Sequence, residues 1–178
     1  MSKEIKNKNQ NMKPTKITLT MPGDAYFISG VRDFTLTLIK NTTNFAEKWA
    51  FRFQSVVDEL CNNAIEFGSS KDAEIRVTFN HIKEQYLEVT VEDTGTASSK
   101  TTAAEMKKML EKRMKPEYKF TGIRGRGLPK IISAWTDELE FIDKEGGGLI
   151  VRVRKYLKDP RFKSGLPEST PTHMVLKV

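Results

Sequence analysis

The chain has 178 residues, 38% hydrophobic and 30% charged, with a formal net charge of +7. That length supports one domain with a proper core and not two, no apolar run approaches a membrane span, and the single cysteine, Cys61, excludes an internal disulfide. The lysines and arginines are spread over the tail, the middle and the end rather than gathered on one element, which argues against a direct nucleic-acid role.

Residues 1–15 are polar and lysine-rich and read as a disordered leader without the apolar core of a secretory signal, so a cytoplasmic protein is expected. Lys16 to Met21 alternates polar and apolar as a half-buried strand does. Pro22-Gly23-Asp24 reads as a turn in which Asp24 caps a helix. Phe27, Val31, Phe34 and Leu38 recur at helical spacing over Tyr26 to Lys40, and Asn41 to Asn44 break the pattern. A long helix is expected from Phe45 to Phe67, its apolar stripe carrying Trp49, Phe53, Val56, Val57, Leu60, Ala64 and Ile65, with Gly68 as its C-terminal cap. Ala73 to His81 and Tyr86 to Glu92 read as two strands joined by a turn at Lys83-Glu84. A small-residue loop, Asp93 to Lys100, leads to a short charged helix, Thr102 to Lys115, which Pro116 stops; Met106, Met109 and Leu110 share one side of it. A glycine-rich segment, Thr121 to Gly127, opens a helix over Leu128 to Trp135. Strands over Glu138 to Ile142 and Leu149 to Val153 flank Gly146-Gly147-Gly148, and the tail after Lys158 has no clear periodicity. Consecutive strand pairs imply a mixed, mostly antiparallel sheet, and helices on one face make a two-layer α/β sandwich. The domain is expected over residues 16–157, with 158–178 as a C-terminal tail.

Three stretches carry candidate chemistry. Glu59 and Asn63 lie four apart on the long helix and so share a face. A carboxylate and an amide oxygen facing a cleft can orient a hydroxyl and ligate a hard cation such as Mg²⁺; a solvent-facing Glu beside a helix-edge Asn is the plainer alternative. Asp93 ends a strand and is followed by Gly95, so its carboxylate can accept from an amino group such as adenine N6 while the glycine admits a flat ring. An ordinary strand exit has the same composition. Gly122, Gly125 and Gly127 precede a helix, where backbone N–H groups can face a phosphate, and Arg124 and Arg126 add positive charge. A flexible loop with solvated arginines is again the alternative. The segment is neither a P-loop nor a dinucleotide fingerprint.

Taken in order, Glu59-x-x-x-Asn63, Asp93-x-Gly95 and Gly125-Arg126-Gly127-Leu128 resemble the GHKL ATP-binding superfamily, and within it the bacterial anti-sigma-factor serine kinases. The resemblance implies ATP and Mg²⁺ as cofactors. It implies that Glu59 is the general base or orients the attacking hydroxyl, that Asn63 ligates Mg²⁺, and that Asp93 receives the adenine amino group with Gly95 allowing close approach. Gly125, Gly127 and the backbone near Leu128 would hold the phosphates, with Arg126 on the terminal one. The implied activity is phosphoryl transfer to a serine of a STAS-type anti-anti-sigma protein. A sigma factor is the other implied partner, and a homodimer is left open. Residues 97–121 would form a lid whose Lys107, Lys108, Lys112, Arg113 and Lys115 either approach phosphates or form a solvated face. The chain departs from the family pattern at Phe67, where His is common and Phe is expected to pack, at Ala97 in place of a second glycine, and at Leu149 in place of Thr. Two rival functions stay open: an ATP-binding partner-switching module without transfer, and a catalytic domain acting on a separate histidine protein. A self-contained histidine kinase is excluded, because His81 sits on a strand and His173 in the tail.

Overall fold

In a computed structural model of the protein, residues 14–43, 45–70, 73–82, 85–95, 101–119, 127–129, 135–157 and 175–177 are described. The first strand, β1 (Thr15–Pro22), turns its alternating Ile17, Leu19 and Met21 against β2 (Glu74–Ile82), in the register Ile17↔Phe79, Leu19↔Val77, Met21↔Ile75. The turn that follows is held by Gly23 N donating to Ala73 O at 2.7 Å. Asp24 Oδ1 accepts from Tyr26 N at 2.9 Å, the cap expected of it. A 3-10 turn, Ala25–Phe27, leads into α1 (Ile28–Thr42). Helix α2 (Glu47–Asn63) runs back antiparallel to α1: Arg32 pairs with Asp58 and Lys40 with Glu47. The expected long helix is therefore present, but its last turn, Ala64–Gly68, widens to a π-helical turn, a local irregularity that often accompanies functional sites.

The six-stranded sheet has the order β1-β2-β3-β5-β4-β6, with β3 (Tyr86–Glu92), β4 (Glu138–Asp143), β5 (Leu149–Tyr156) and β6 (Val175–Lys177). Every pairing is antiparallel except β4 with β6, which is parallel. Register decides the faces. Val77, Val91 and Val151 align across three strands and Phe79, Val89, Val153 and Leu139 across four, and these side chains meet Phe53, Val56, Val57 and Leu60 of α2 in the core. Phe34 of α1 packs edge-on against Phe79, ring centroids 5.4 Å apart. The opposite face is a ladder of cross-strand polar pairs: Thr18 with Thr78, Arg76 with Glu92, Arg154 with Glu88 and Glu138, Arg152 with Glu140. Such a face tolerates water, and among the described residues helices cover only the other side of the sheet; the chain is the two-layer α/β sandwich expected.

At the end of the sheet carrying Leu87, Lys155 Nζ lies 2.9 Å from Asp137 Oδ1 and 4.6 Å from the centre of the Trp49 ring, and Tyr156 N donates to Asp137 Oδ2 at 2.8 Å. This buried pair ties β5 to the segment entering β4, and it explains why β5 continues to Tyr156, beyond the Val153 expected. Strand β6 is a further addition to the expected layout. The expected Lys83-Glu84 turn, and most of the expected glycine loop and the helix after it, lie outside the described residues.

Candidate functional site

Helix α2 and its π turn, the exit of β3, the β4–β5 hairpin and the helix α3 (Ala103–Met114) enclose a cavity of about 560 Å³. That is the size of a small-molecule site. Glu59 and Asn63 line it from α2, Asp93 and Gly95 from the end of β3, and Leu128 from the segment after the glycine loop. Residues distant in the chain thus face one space. Gly127 lies against Glu59: a Cβ built on it would overlap the carboxylate. Gly125 and Arg126 lie outside the described residues, as do Arg124 and Ala97.

At the Glu59 end, Asn63 Nδ2 donates to Glu59 Oε1 at 3.0 Å. The helical spacing therefore produces the shared face expected, and the bond leaves Asn63 Oδ1 as an acceptor. From Glu59 to Gly68 the α2 wall extends roughly 13 Å at helical rise, long enough for an elongated ligand.

At the other end Asp93 is buried and its orientation is fixed. Oδ1 accepts from Gly95 N at 2.9 Å and from Leu149 N at 3.0 Å, while the Asp93 backbone pairs with Leu149 O and receives Lys144 Nζ at 2.8 Å. Both side-chain bonds fall on Oδ1, so Oδ2 keeps its lone pairs for a donor. The Leu149 bond uses backbone, so the replacement of Thr by Leu leaves it intact. Gly95 and Gly148 both have positive φ, 63° and 96°, and their backbones touch where any side chain would intrude.

Gly68 corrects an expectation. It does not take the left-handed conformation of a helix cap; the chain leaves the π turn in extended backbone at Ser69, φ −119°. A Cβ on Gly68 would stand 2.5 Å from Asp93 Cβ and nearer still to Cγ and Oδ2. The glycine is there to let Asp93 reach the wall. Phe67, where the family commonly has His, is 50% exposed and lines the cavity.

The remaining walls are largely apolar: Leu60, Ala64, Val91, Leu149 and Val151 from the core side, Met106 and Met109 from α3. An apolar slot with one oriented carboxylate fits a flat ring bearing an amino group. Of the charged residues expected on the short helix, Arg113 lines the cavity, whereas Lys108, Lys112 and Lys115 are exposed. The β4–β5 hairpin contributes Asp143, Lys144 and Gly148; the run Gly146-Gly147-Gly148 was the sequence signal for a tight turn but not for its place beside Asp93. Cys61 faces the core, and its burial, followed by the nearby Asp58, pushes its thiol up to about 12, so it is no nucleophile at neutral pH.

Among the described residues no group of three His, Cys, Asp or Glu side chains is arranged to hold a metal ion, and no helix is long and apolar enough to cross a membrane. A cation here would depend on the Asn63 oxygen together with oxygens of the ligand itself, a donor set that suits Mg²⁺. The Asp93 Oδ2 without a bond among the described residues, the apolar walls and the cavity volume fit a purine nucleotide. Residues 24–155, most of the chain, match a family model described as histidine kinase-like ATPase domain. Among curated proteins none matches the chain.

Proposed function

Because the chain belongs to the histidine kinase-like ATPase domain family, we propose that it is an ATP-dependent serine kinase and anti-sigma factor. It binds ATP in the cavity between α2, β3 and α3, phosphorylates a serine of a STAS-type anti-anti-sigma protein, and sequesters a sigma factor while that antagonist is absent. The carrying observation is the convergence of Glu59, Asn63, Asp93 and Leu128 on one cavity, with Gly127 against Glu59. Asp93 Oδ2 accepts the adenine amino group, and the Met106, Val91 and Leu149 side chains sandwich the ring. Phe67 covers its open side. Asn63 Oδ1 would ligate Mg²⁺, which when bound would neutralise phosphate charge. Gly125, Arg126 and Gly127 hold the phosphates, and Glu59 orients the serine hydroxyl and takes its proton. The serine specificity and both protein partners rest on the resemblance of the Gly125-Arg126-Gly127-Leu128 box to the anti-sigma kinases. A homodimer is part of the same proposal: the outer edge of β1 is unpaired among the described residues, and Tyr26 and Phe27 stand exposed just after it.

The test is a phosphorylation assay with radiolabelled ATP and a candidate anti-anti-sigma protein. Transfer by the wild type that is abolished in Glu59→Ala, with nucleotide affinity kept, supports the kinase. A second reading, ATP binding without transfer, draws on the contact of Gly127 with Glu59, which covers the proposed base. Nucleotide binding that alters partner affinity, with no phosphoserine on any partner, selects that reading.

A further inference from the structure

Helix α3 belongs to the segment expected to form a lid over the nucleotide. Its first turn is tied to the sheet. Asp143, the last residue of β4, accepts from Ala103 N with Oδ1 at 2.8 Å. Ala103 opens α3, where the backbone N–H has no partner inside the helix and the local potential favours a carboxylate. Its side chain is fully buried, and so is Leu110 two turns on. The helix is independently capped: Thr102 Oγ1 accepts from Glu105 N at 3.2 Å, and Glu105 Oε2 accepts from Thr102 N at 2.9 Å. The Asp143 bond is therefore not needed to form the helix; it fixes where the helix sits. From that position Met106, Met109 and Arg113 line the cavity.

The same hairpin holds the other end of the cavity. Lys144, next in the chain, donates to Asp93 O at 2.8 Å, and Leu149 N donates to Asp93 Oδ1 at 3.0 Å. The hairpin residues 143–149 thus connect the start of α3 to the group proposed to read the base.

We propose that Asp143 is a positioning residue that holds α3 as the side wall of the nucleotide cavity and so sets how long a nucleotide remains bound. The proposal rests on the ATP-binding reading. Asp143 borders the cavity, but its Oδ1 is engaged by Ala103 N; its effect reaches the nucleotide through Met106 and Met109.

The experiment uses the full chain, Mg²⁺ and a fluorescent N-methylanthraniloyl ATP, with release followed by stopped flow after an excess of unlabelled ATP. Asp143→Ala should release the nucleotide about tenfold faster, the change expected on losing one hydrogen bond to a charged acceptor, with the association rate nearly unchanged. Asp143→Asn keeps an acceptor oxygen without the charge and should fall between the two. In the nucleotide-free protein, amide exchange over residues 103–110 should accelerate in Asp143→Ala while total helicity stays constant, a pattern that a general loss of structure would not give. Wild-type release rates and exchange protection in both variants overturn the proposal and leave the ATP-binding reading standing. A wild-type chain that binds no nucleotide overturns that reading, and the proposal with it.

Discussion

Gly68→Ala separates two roles of one glycine. A Cβ at this position would stand 2.5 Å from Asp93 Cβ, against about 3.5–4.0 Å for a comfortable carbon contact. Asp93 cannot move aside freely, because Gly95 N and Leu149 N both hold its Oδ1. Relief requires a shift of roughly 1 Å that breaks or stretches both bonds. Overpacking of this kind costs about 1–3 kcal/mol, so we expect a loss of about 2 kcal/mol in urea unfolding. ATP affinity should fall by more than about tenfold, since the displaced carboxylate no longer meets its donor. The control is the same substitution in an Asp93→Gly background, where the obstructing atoms are gone and Gly68→Ala should cost less than about 0.5 kcal/mol. A glycine acting as a helix cap would give the opposite pattern, a cost of about 1 kcal/mol independent of residue 93. Equal costs in both backgrounds, or none in either, would refute the close-contact explanation.

Phe67→Ala should leave the melting temperature nearly unchanged, because the ring is half exposed, and lower ATP affinity roughly tenfold by removing a stacking surface; calorimetric titration reads it directly. Asp137→Ala should cost about 3–5 kcal/mol in urea unfolding, since it removes the carboxylate paired with the buried Lys155 ammonium, and the double replacement with Lys155→Met should recover most of that loss. Cys61 holds its proton more tightly folded than unfolded. Its contribution to stability is therefore complete below about pH 9 and is lost as pH rises toward 12. The wild type should accordingly lose more stability than Cys61→Ala between pH 8 and pH 11, and the thiol should resist aromatic disulfide reagents at pH 8 until the chain is unfolded.

Much of this architecture was legible because it is written in short-range patterns. The alternation of Ile75, Val77 and Phe79 or of Leu87, Val89 and Val91 marks strands, and the stripe from Phe53 to Leu60 marks the helix that covers them. Local chemistry foretold the Asp24 cap and the Glu59–Asn63 pair, since both depend on residues within one turn. What depends on distant residues was not legible. Gly68 resembles any helix-ending glycine until Asp93 is brought beside it. Phe67 is one more helix-ending aromatic until the cavity forms beside it. Asp143 and Lys144 are ordinary charges at a hairpin until α3 and β3 arrive on either side. Strand β6 is three residues long, too short for an alternating pattern, and owes its place to the free edge of β4.

The central claim is that the Glu59–Asn63 face, Asp93 and the Gly125–Gly127 segment surround one nucleotide. It is tested most directly by titrating ATP into the wild type, Asp93→Asn and Asn63→Ala, each with and without Mg²⁺. Asparagine at 93 would turn an amide donor toward the adenine amino group, so binding should drop at least about tenfold in both conditions. Asn63→Ala should match the wild type without Mg²⁺ and lose the gain that Mg²⁺ confers. Three proteins with the same affinity and the same response to Mg²⁺ would contradict the account.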